Sequence, residues 1–274
     1  MAPRLVRQLA GLAPPALRRA ISGALIDLTS LPARLADPAR RAEPWAMVHN
    51  VGDGDFVAAG AQIRRNLIDH AGLSPHDRVL DIGCGNGRVA EQLAPILAQA
   101  GGYLGFDISR AGIRACRRRF AGQPHMAFEH LDVRNGEYNP SGQVAEPEAV
   151  FPAQDASFDL AFATSVFTHM RLPAVRRYLA EAARVLKPGG RLAFTGFALQ
   201  PGRERSESFE FRPFDETSAV IDARVPERAI GHRREALEAA VAEAGLTVAG
   251  VFKGHWAPGA DYDGGQDLIV AVKP

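Results

Sequence analysis

Val79-Leu80-Asp81-Ile82-Gly83-Cys84-Gly85-Asn86-Gly87-Arg88 is the stretch that decides the fold. An apolar run starting at Arg78 ends in three glycines at alternate positions, and an apolar helical period resumes at Val89. That is the pattern of a buried strand turning sharply into a helix. Glycine permits the turn and lets a ligand approach the N–H groups at the helix start. Glycines alone would suit a dinucleotide. Two features oppose it: the spacing is G-x-G-x-G rather than G-x-G-x-x-G, and Asp81 stands two residues before the first glycine. A carboxylate there repels a pyrophosphate and favours an ammonium group.

Outward from this turn the chain alternates between two periods. Ile63, Leu67, Ile68 and Ala71 share a helical face that Gly72 stops, ahead of a strand at Arg78–Ile82. A helix at Val89–Ala100, interrupted by Pro95, precedes a strand at Gly102–Asp107, a helix at Arg110–Phe120 and a strand at Met126–Val133. Further on, the spacing predicts a strand at Phe158–Ala163, a helix at Pro173–Leu186, and a stop at Lys187-Pro188-Gly189-Gly190 before a strand at Arg191–Phe197. A last helix at Arg233–Ala244 leads to strands at Leu246–Lys253 and Asp267–Lys273. Seven strands interleaved with helices predict an α/β fold, a doubly wound sheet covered on both faces. Two polar connections, 134–157 and 200–232, are long enough to be functional loops, and the second reads as a lid.

The domain so defined is residues 46–274, preceded by an N-terminal helical extension, 1–45. Residues 1–41 carry seven Arg against two Asp, whereas the whole 274-residue chain has 32 basic and 31 acidic residues. The acidic remainder argues against a nucleic-acid binder. Packing of the extension on the domain or a partner is the expected use of residues 1–45, with targeting or a peripheral membrane contact as alternatives. Two cysteines form no disulfide framework, and no apolar run approaches a membrane span, so the expected location is cytoplasmic.

Two acids close successive strands. Asp107, twenty positions after Gly87, stands where ribose hydroxyls are bound in such sheets, although Asp107-Ile108-Ser109 also suits a helix cap. Asp132 closes the third strand, where a carboxylate can accept from an exocyclic amine. Together, Val79–Arg88, Phe106–Ser109, Leu131–Val133, Phe158–Ala163 and Val185–Arg191 resemble the successive motifs of class I S-adenosylmethionine-dependent methyltransferases. The resemblance spans roughly residues 50–273 and implies a Rossmann-like seven-stranded sheet with S-adenosyl-L-methionine as cofactor. It puts Asp81, Gly83, Cys84, Gly85 and Gly87 around the methionine end and Asp107 with Ile108 at the ribose. Asp132 and Val133 fall at the adenine, and Thr164 and Ser165 near the sulfonium. Val51–Phe56, Ser165–Met170 and Gly265–Leu268 further resemble a bacterial subgroup associated with sugar or surface-polysaccharide pathways, with Asp53 where usual members carry glycine.

Methyl transfer from a positive sulfur gains much of its rate from alignment, but an alcohol acceptor must also lose its proton. His169, six residues past the fourth strand, is the candidate base; packing at a helix start is the competing reading. His255 and Trp256 are candidates for an aromatic wall and a second base in the same pocket, and Phe56 for a lid over the methionine tail. No His/Cys/Asp cluster has metal-ligand spacing, and the Arg114, Arg117, Arg118, Arg119 run reads as a solvated face. Thr164-Ser165-Val166-Phe167 stands where amino-methylating relatives carry Asn or Asp, Pro, Pro and an aromatic, so DNA-base methylation is disfavoured. The expected function is methyl transfer to a small-molecule hydroxyl, a sugar or glycolipid included. N-methylation, a protein target and a non-catalytic cofactor-binding scaffold are the alternatives.

Overall fold

The computed structural model describes residues 15–36, 45, 56–97, 101–136, 138–206 and 209–274. Its elements begin with α1 (Pro15–Ala36), α2 (Phe56–Ala71), β1 (Arg78–Ile82), α3 (Arg88–Leu97), β2 (Gly102–Asp107), α4 (Arg110–Arg119), β3 (Met126–His130) and β4 (Phe158–Ala163). They continue with α5 (Leu172–Val185), β5 (Leu186–Gly196), β6 (Ala198–Leu199), β7 (Arg212–Pro213), β8 (Ser218–Val220), β9 (Ile230–Arg233), α6 (Arg234–Glu243), β10 (Thr247–Phe252) and β11 (Asp267–Val272). Residues 1–14 of the expected extension and the loop 51–55, with Asp53, lie outside the described residues.

Seven strands form one sheet in the order β10-β11-β5-β4-β1-β2-β3. β1 to β5 run parallel, and β11 is antiparallel to both β5 and β10. Because side chains alternate along a strand, each face has its own core. Leu80, Ile82, Ala161, Ala163, Leu192 and Phe194 pack with Val175 and Leu179 of α5 and Leu237 and Val241 of α6. Val79, Leu160, Phe162 and Ala193 pack on the opposite face with Leu67, Leu93, Leu97 and Ile113 of α2, α3 and α4. β1 pairs with β2 on one side and β4 on the other, so the chain's order reverses there. The carboxyl ends of these strands open a crevice, the usual ligand position in such sheets.

β1, β2 and β4 keep their expected limits, and two departures have local causes. β3 stops at His130 instead of Val133, because Arg134 N–H and Val144 N–H take up the carbonyls of Val144 and Asp132 and draw the chain into a loop ladder. β5 starts at Leu186 instead of Arg191: Gly189, at φ +73°, turns its N–H to the carbonyl of Lys273, and Gly190 accepts from Lys273 N–H. The Lys273 ammonium also donates to the carbonyls of Ala183 and Leu186, which a helix end otherwise leaves without partners. α3 is described as far as Leu97, and residues 98–100 of the expected helix lie outside the described residues.

Neither long connection is without structure. In 134–157, Phe151 N–H donates to the buried carboxylate of Glu181, 2.8 Å away, and Arg177 Nε donates to Ala149 O at 2.6 Å, clamping the loop to α5. Segment 200–232 supplies β7, β8 and most of β9, which with β6 make a second sheet, order β6-β9-β8-β7. Phe197, Phe211 and Trp256 form its core. No helix among the described residues is long and apolar enough to cross a membrane.

Candidate functional site

The glycine turn after β1 is built as its spacing requires. Gly83, Gly85 and Gly87 have φ of +78°, +56° and +86°, a region that L side chains rarely occupy. The N–H groups of Gly83 and Cys84 both donate to Phe106 O, at 2.9 and 3.0 Å, which stitches the turn to β2. A Cβ at Gly83 would run into the side chain of Val166.

Asp107, at the end of β2, holds the turn from the other side. Its Oδ2 accepts Gly85 N–H at 2.8 Å and its Oδ1 accepts Ser109 N–H at 2.6 Å. Burial pushes its carboxyl above the usual range, and those two hydrogen bonds oppose the rise. The same carboxylate lines a cavity of about 280 Å³ over the turn, together with Gly83, Gly85, Ile108 and Val133. Glu146, from the clamped loop, is a second acid in the lining. It accepts Asn135 Nδ2 at 2.7 Å and is likewise pushed up by burial.

The opposite wall comes from the end of β4. Ser165 stands at φ +56°, uncommon for a residue with a side chain, and its N–H donates to Thr195 Oγ1 at 2.8 Å. Thr195 in turn donates to Gln266 Oε1 at 2.6 Å. His169 closes a single turn of helix, Phe167–His169, beside the Tyr138 ring at a centroid distance of 5.3 Å. His169 Nδ1 lies 2.7 Å from the carbonyl of Glu227, in the turn Pro226–Arg228 of the small-sheet segment. A carbonyl only accepts, so Nδ1 carries the proton and Nε2 is the basic nitrogen of the neutral ring. Thr164, Ser165, His169 and Gln266 all line the cavity.

Residues 80–194 match the family model described as Methyltransferase domain. A phthiotriol/phenolphthiotriol dimycocerosates methyltransferase of Mycobacterium ulcerans is 36% identical over 130 residues, 47% of this chain and 40% of the relative. The 27-O-demethylrifamycin SV methyltransferase of Amycolatopsis mediterranei is 33% identical over 172 residues, 61% of this chain and 56% of the relative. The chain carries a methyltransferase domain at residues 80–194. It spans about half or less of the length of these curated relatives. The fold agrees with that of a SAM-dependent methyltransferase of Methanosarcina mazei, with a TM-score of 0.51, 22% identity, and 75% and 96% of the two chains covered. A Pyrococcus horikoshii protein gives a TM-score of 0.55 at 16% identity, over 87% of this chain and 99% of that one.

The chemistry of the methyltransferase domain's cavity fits S-adenosylmethionine. Among the described residues, Asp107 and Glu146 are in its lining and no Lys or Arg is, so it suits a cationic ligand without phosphate. Gly83, Gly85, Asp107, Ile108, Val133, Thr164, Ser165 and His169, expected from the sequence, meet there. Four others do not. On β1, Leu80 and Ile82 face α5 and α6, so Asp81 points the other way and accepts the Tyr103 hydroxyl at 2.6 Å beneath the turn. Burial pushes Asp81 up to about 7, the Tyr103 bond opposes this, and the charge of Asp107 adds to it. Cys84 is buried toward Cys116, and burial pushes its thiol up. Asp132 accepts Asn139 Nδ2 at 3.1 Å instead of lining the cavity. Gly87 packs toward Phe120 and Cys116.

Phe56 is buried between the guanidinium groups of Arg88 and Arg119, 5.7 and 5.6 Å from its ring, and is also absent from the lining. Arg119 pairs with Glu91 and Arg117 with Glu129, so half of the basic run on α4 is engaged within the protein. His255 and Trp256 line a separate recess. The sequence reading missed Asn135, Tyr138, Glu146 and Tyr178 as lining residues. The length of loop 134–157 was the available signal for the first three; Tyr178 lies on α5 and had none. Among the described residues, no group of three or more His, Cys, Asp or Glu is arranged to hold a metal.

Proposed function

We propose that the protein transfers a methyl group from S-adenosylmethionine to a hydroxyl oxygen of a small-molecule acceptor. The cofactor supplies a methyl group activated by positive sulfur. Asp107 accepts from the ribose hydroxyls, the glycine turn admits the methionine end, and Glu146 adds negative potential. His169 Nε2 would take the acceptor's proton as the oxygen–carbon bond forms and the carbon–sulfur bond of the methyl group breaks, with S-adenosylhomocysteine leaving, and the Glu227 carbonyl fixes the ring's tautomer. The domain is residues 46–274, residues 1–45 are an extension, and 200–232 is a cover whose Pro226–Arg228 turn sits over His169.

The observation that carries this reading is the coincidence, in one acidic cavity, of Asp107 and a histidine held by its Nδ1. The name of the Amycolatopsis relative, whose substrate is demethylated at an oxygen, supports an oxygen acceptor. The test is incubation with methyl-labelled S-adenosylmethionine and a panel of alcohols, amines and sugars, with mass spectrometry of labelled product. Label on an alcohol oxygen is the expected result. Turnover confined to amines would refute the oxygen assignment, and absence of S-adenosylhomocysteine with every acceptor would refute catalysis.

A further inference from the structure

A second recess, of about 830 Å³, adjoins the cofactor cavity, and Gln266 lines both. Its volume falls within the roughly 300–1,000 Å³ of small-molecule sites. Its walls come from the end of β5, segment 200–232 and the β10–β11 connection, the elements beside the carboxyl edge of the sheet. Phe197, Phe209 and Trp256 form its aromatic side, with ring centroids 5.0 Å apart for Phe197–Phe209 and 5.3 Å for Phe197–Trp256. Trp256 is held in place by stacking: the Arg203 guanidinium lies 5.3 Å from its ring and is itself tied to Asp267 at 2.9 Å. Those two charges stay behind the tryptophan. Among the described residues the lining contains no Asp, Glu, Lys or Arg; beside the Trp256 indole, its polar side chains are Ser206, His255 and Gln266.

This composition discriminates among acceptors. A sugar needs several fixed polar partners for its hydroxyls, because each one buried without a bond costs free energy. An anionic or cationic acceptor needs a counter-charge. An apolar ring system or chain needs neither, and aromatic side chains reward its burial through area and ring contact. Gln266 stands at the junction, its Oε1 accepting from Thr195, which leaves the amide N–H groups as its donors. A polar end of an acceptor would reach it there, at the cavity that His169 and Ser165 also line.

We propose that this recess holds the body of a neutral, apolar, ring-bearing alcohol, presenting its hydroxyl past Gln266 to the cofactor cavity. The assignment rests on the methyl-transfer reading for the word acceptor; the recess as a binding site does not. It narrows the acceptor from sugar or glycolipid to aromatic or polycyclic alcohols.

Trp256 allows a direct test. The chain has two tryptophans, so Trp45→Phe leaves Trp256 as the single reporter. In that background, naphthol is titrated by fluorescence without cofactor, glucose is the polar control, and S-adenosylmethionine is titrated separately by calorimetry. The expected result is saturable quenching by naphthol and none by glucose. Ala260→Trp, read by calorimetry, and Phe209→Ala, read by fluorescence, should each weaken naphthol by about tenfold or more, one by filling the recess and one by removing its wall. Both should leave S-adenosylmethionine affinity within about twofold, since neither residue lines its cavity. Quenching by glucose but not naphthol would overturn the proposal, as would naphthol binding unchanged in Phe209→Ala. Naphthol binding without any S-adenosylmethionine binding would uphold the recess while contradicting methyl transfer.

Discussion

The imidazole Nδ1 of His169 donates to the main-chain carbonyl of Glu227 across 58 positions of sequence, at 2.7 Å. This bond joins the turn after β4 to the small-sheet segment, and it settles which ring nitrogen is basic. The segment's backbone thereby orients a histidine of the cavity lining.

His169→Gln is expected to keep the fold and the cofactor affinity while lowering the single-turnover rate by roughly 10²–10⁴-fold, the usual worth of a general base. The rising limb that the imidazole contributes to the pH–rate profile should vanish. A fall of tenfold or less, with an unchanged profile and a lower melting temperature, would assign His169 to packing of the Phe167–His169 turn.

Gly83→Ala tests the glycine turn. Its φ of +78° and the blocked approach of Val166 penalise any Cβ together. The strain alone is worth about 1–2 kcal/mol, and the Val166 contact adds to it. We expect a lower melting temperature and loss of measurable S-adenosylmethionine binding. Gly202→Ala, also at positive φ but with no atom near an added Cβ, should lose stability without losing the ligand.

Asp81 gives a pH dependence of known sign. Its carboxyl titrates near 3.8 when unfolded and about 7 when folded, so its contribution to stability is complete below the lower value and is lost as pH rises through the upper one. The loss is at most about 4 kcal/mol, since a tenfold change in proton affinity is worth about 1.4 kcal/mol. Asp81→Asn should flatten thermal stability between about pH 4 and pH 8 and raise the melting temperature at the alkaline end. A variant that tracks the parent across that range would show Asp81 to be uncoupled from folding.

The sheet was readable from the chain because parallel strands buried on both faces are nearly continuous apolar runs, as Val79–Ile82 and Phe158–Ala163 are, each interrupted by a single Asp. The glycine turn was readable because only glycine tolerates its dihedrals. What escaped was side-chain direction at single positions. Asp81 is the penultimate residue of β1 and Asp107 the last of β2, at the same edge, and only the pleat decides that Asp107 faces the cavity and Asp81 faces Tyr103. Glu146 escaped for a different reason: a loop that returns to the site from 134–157 is held there by Glu181 and Arg177 on a distant helix, a contact that no local pattern records.

The most direct test of the central claim is calorimetric titration of S-adenosylmethionine into the full chain and into Asp107→Ala, with NADH as control and no added metal. The account predicts one site per chain, much weaker binding of NADH, and a loss of about 1.5–3 kcal/mol in the variant, the worth of hydrogen bonds to a charged group. Equal affinity in a folded Asp107→Ala, or tighter binding of NADH than of S-adenosylmethionine, would contradict it.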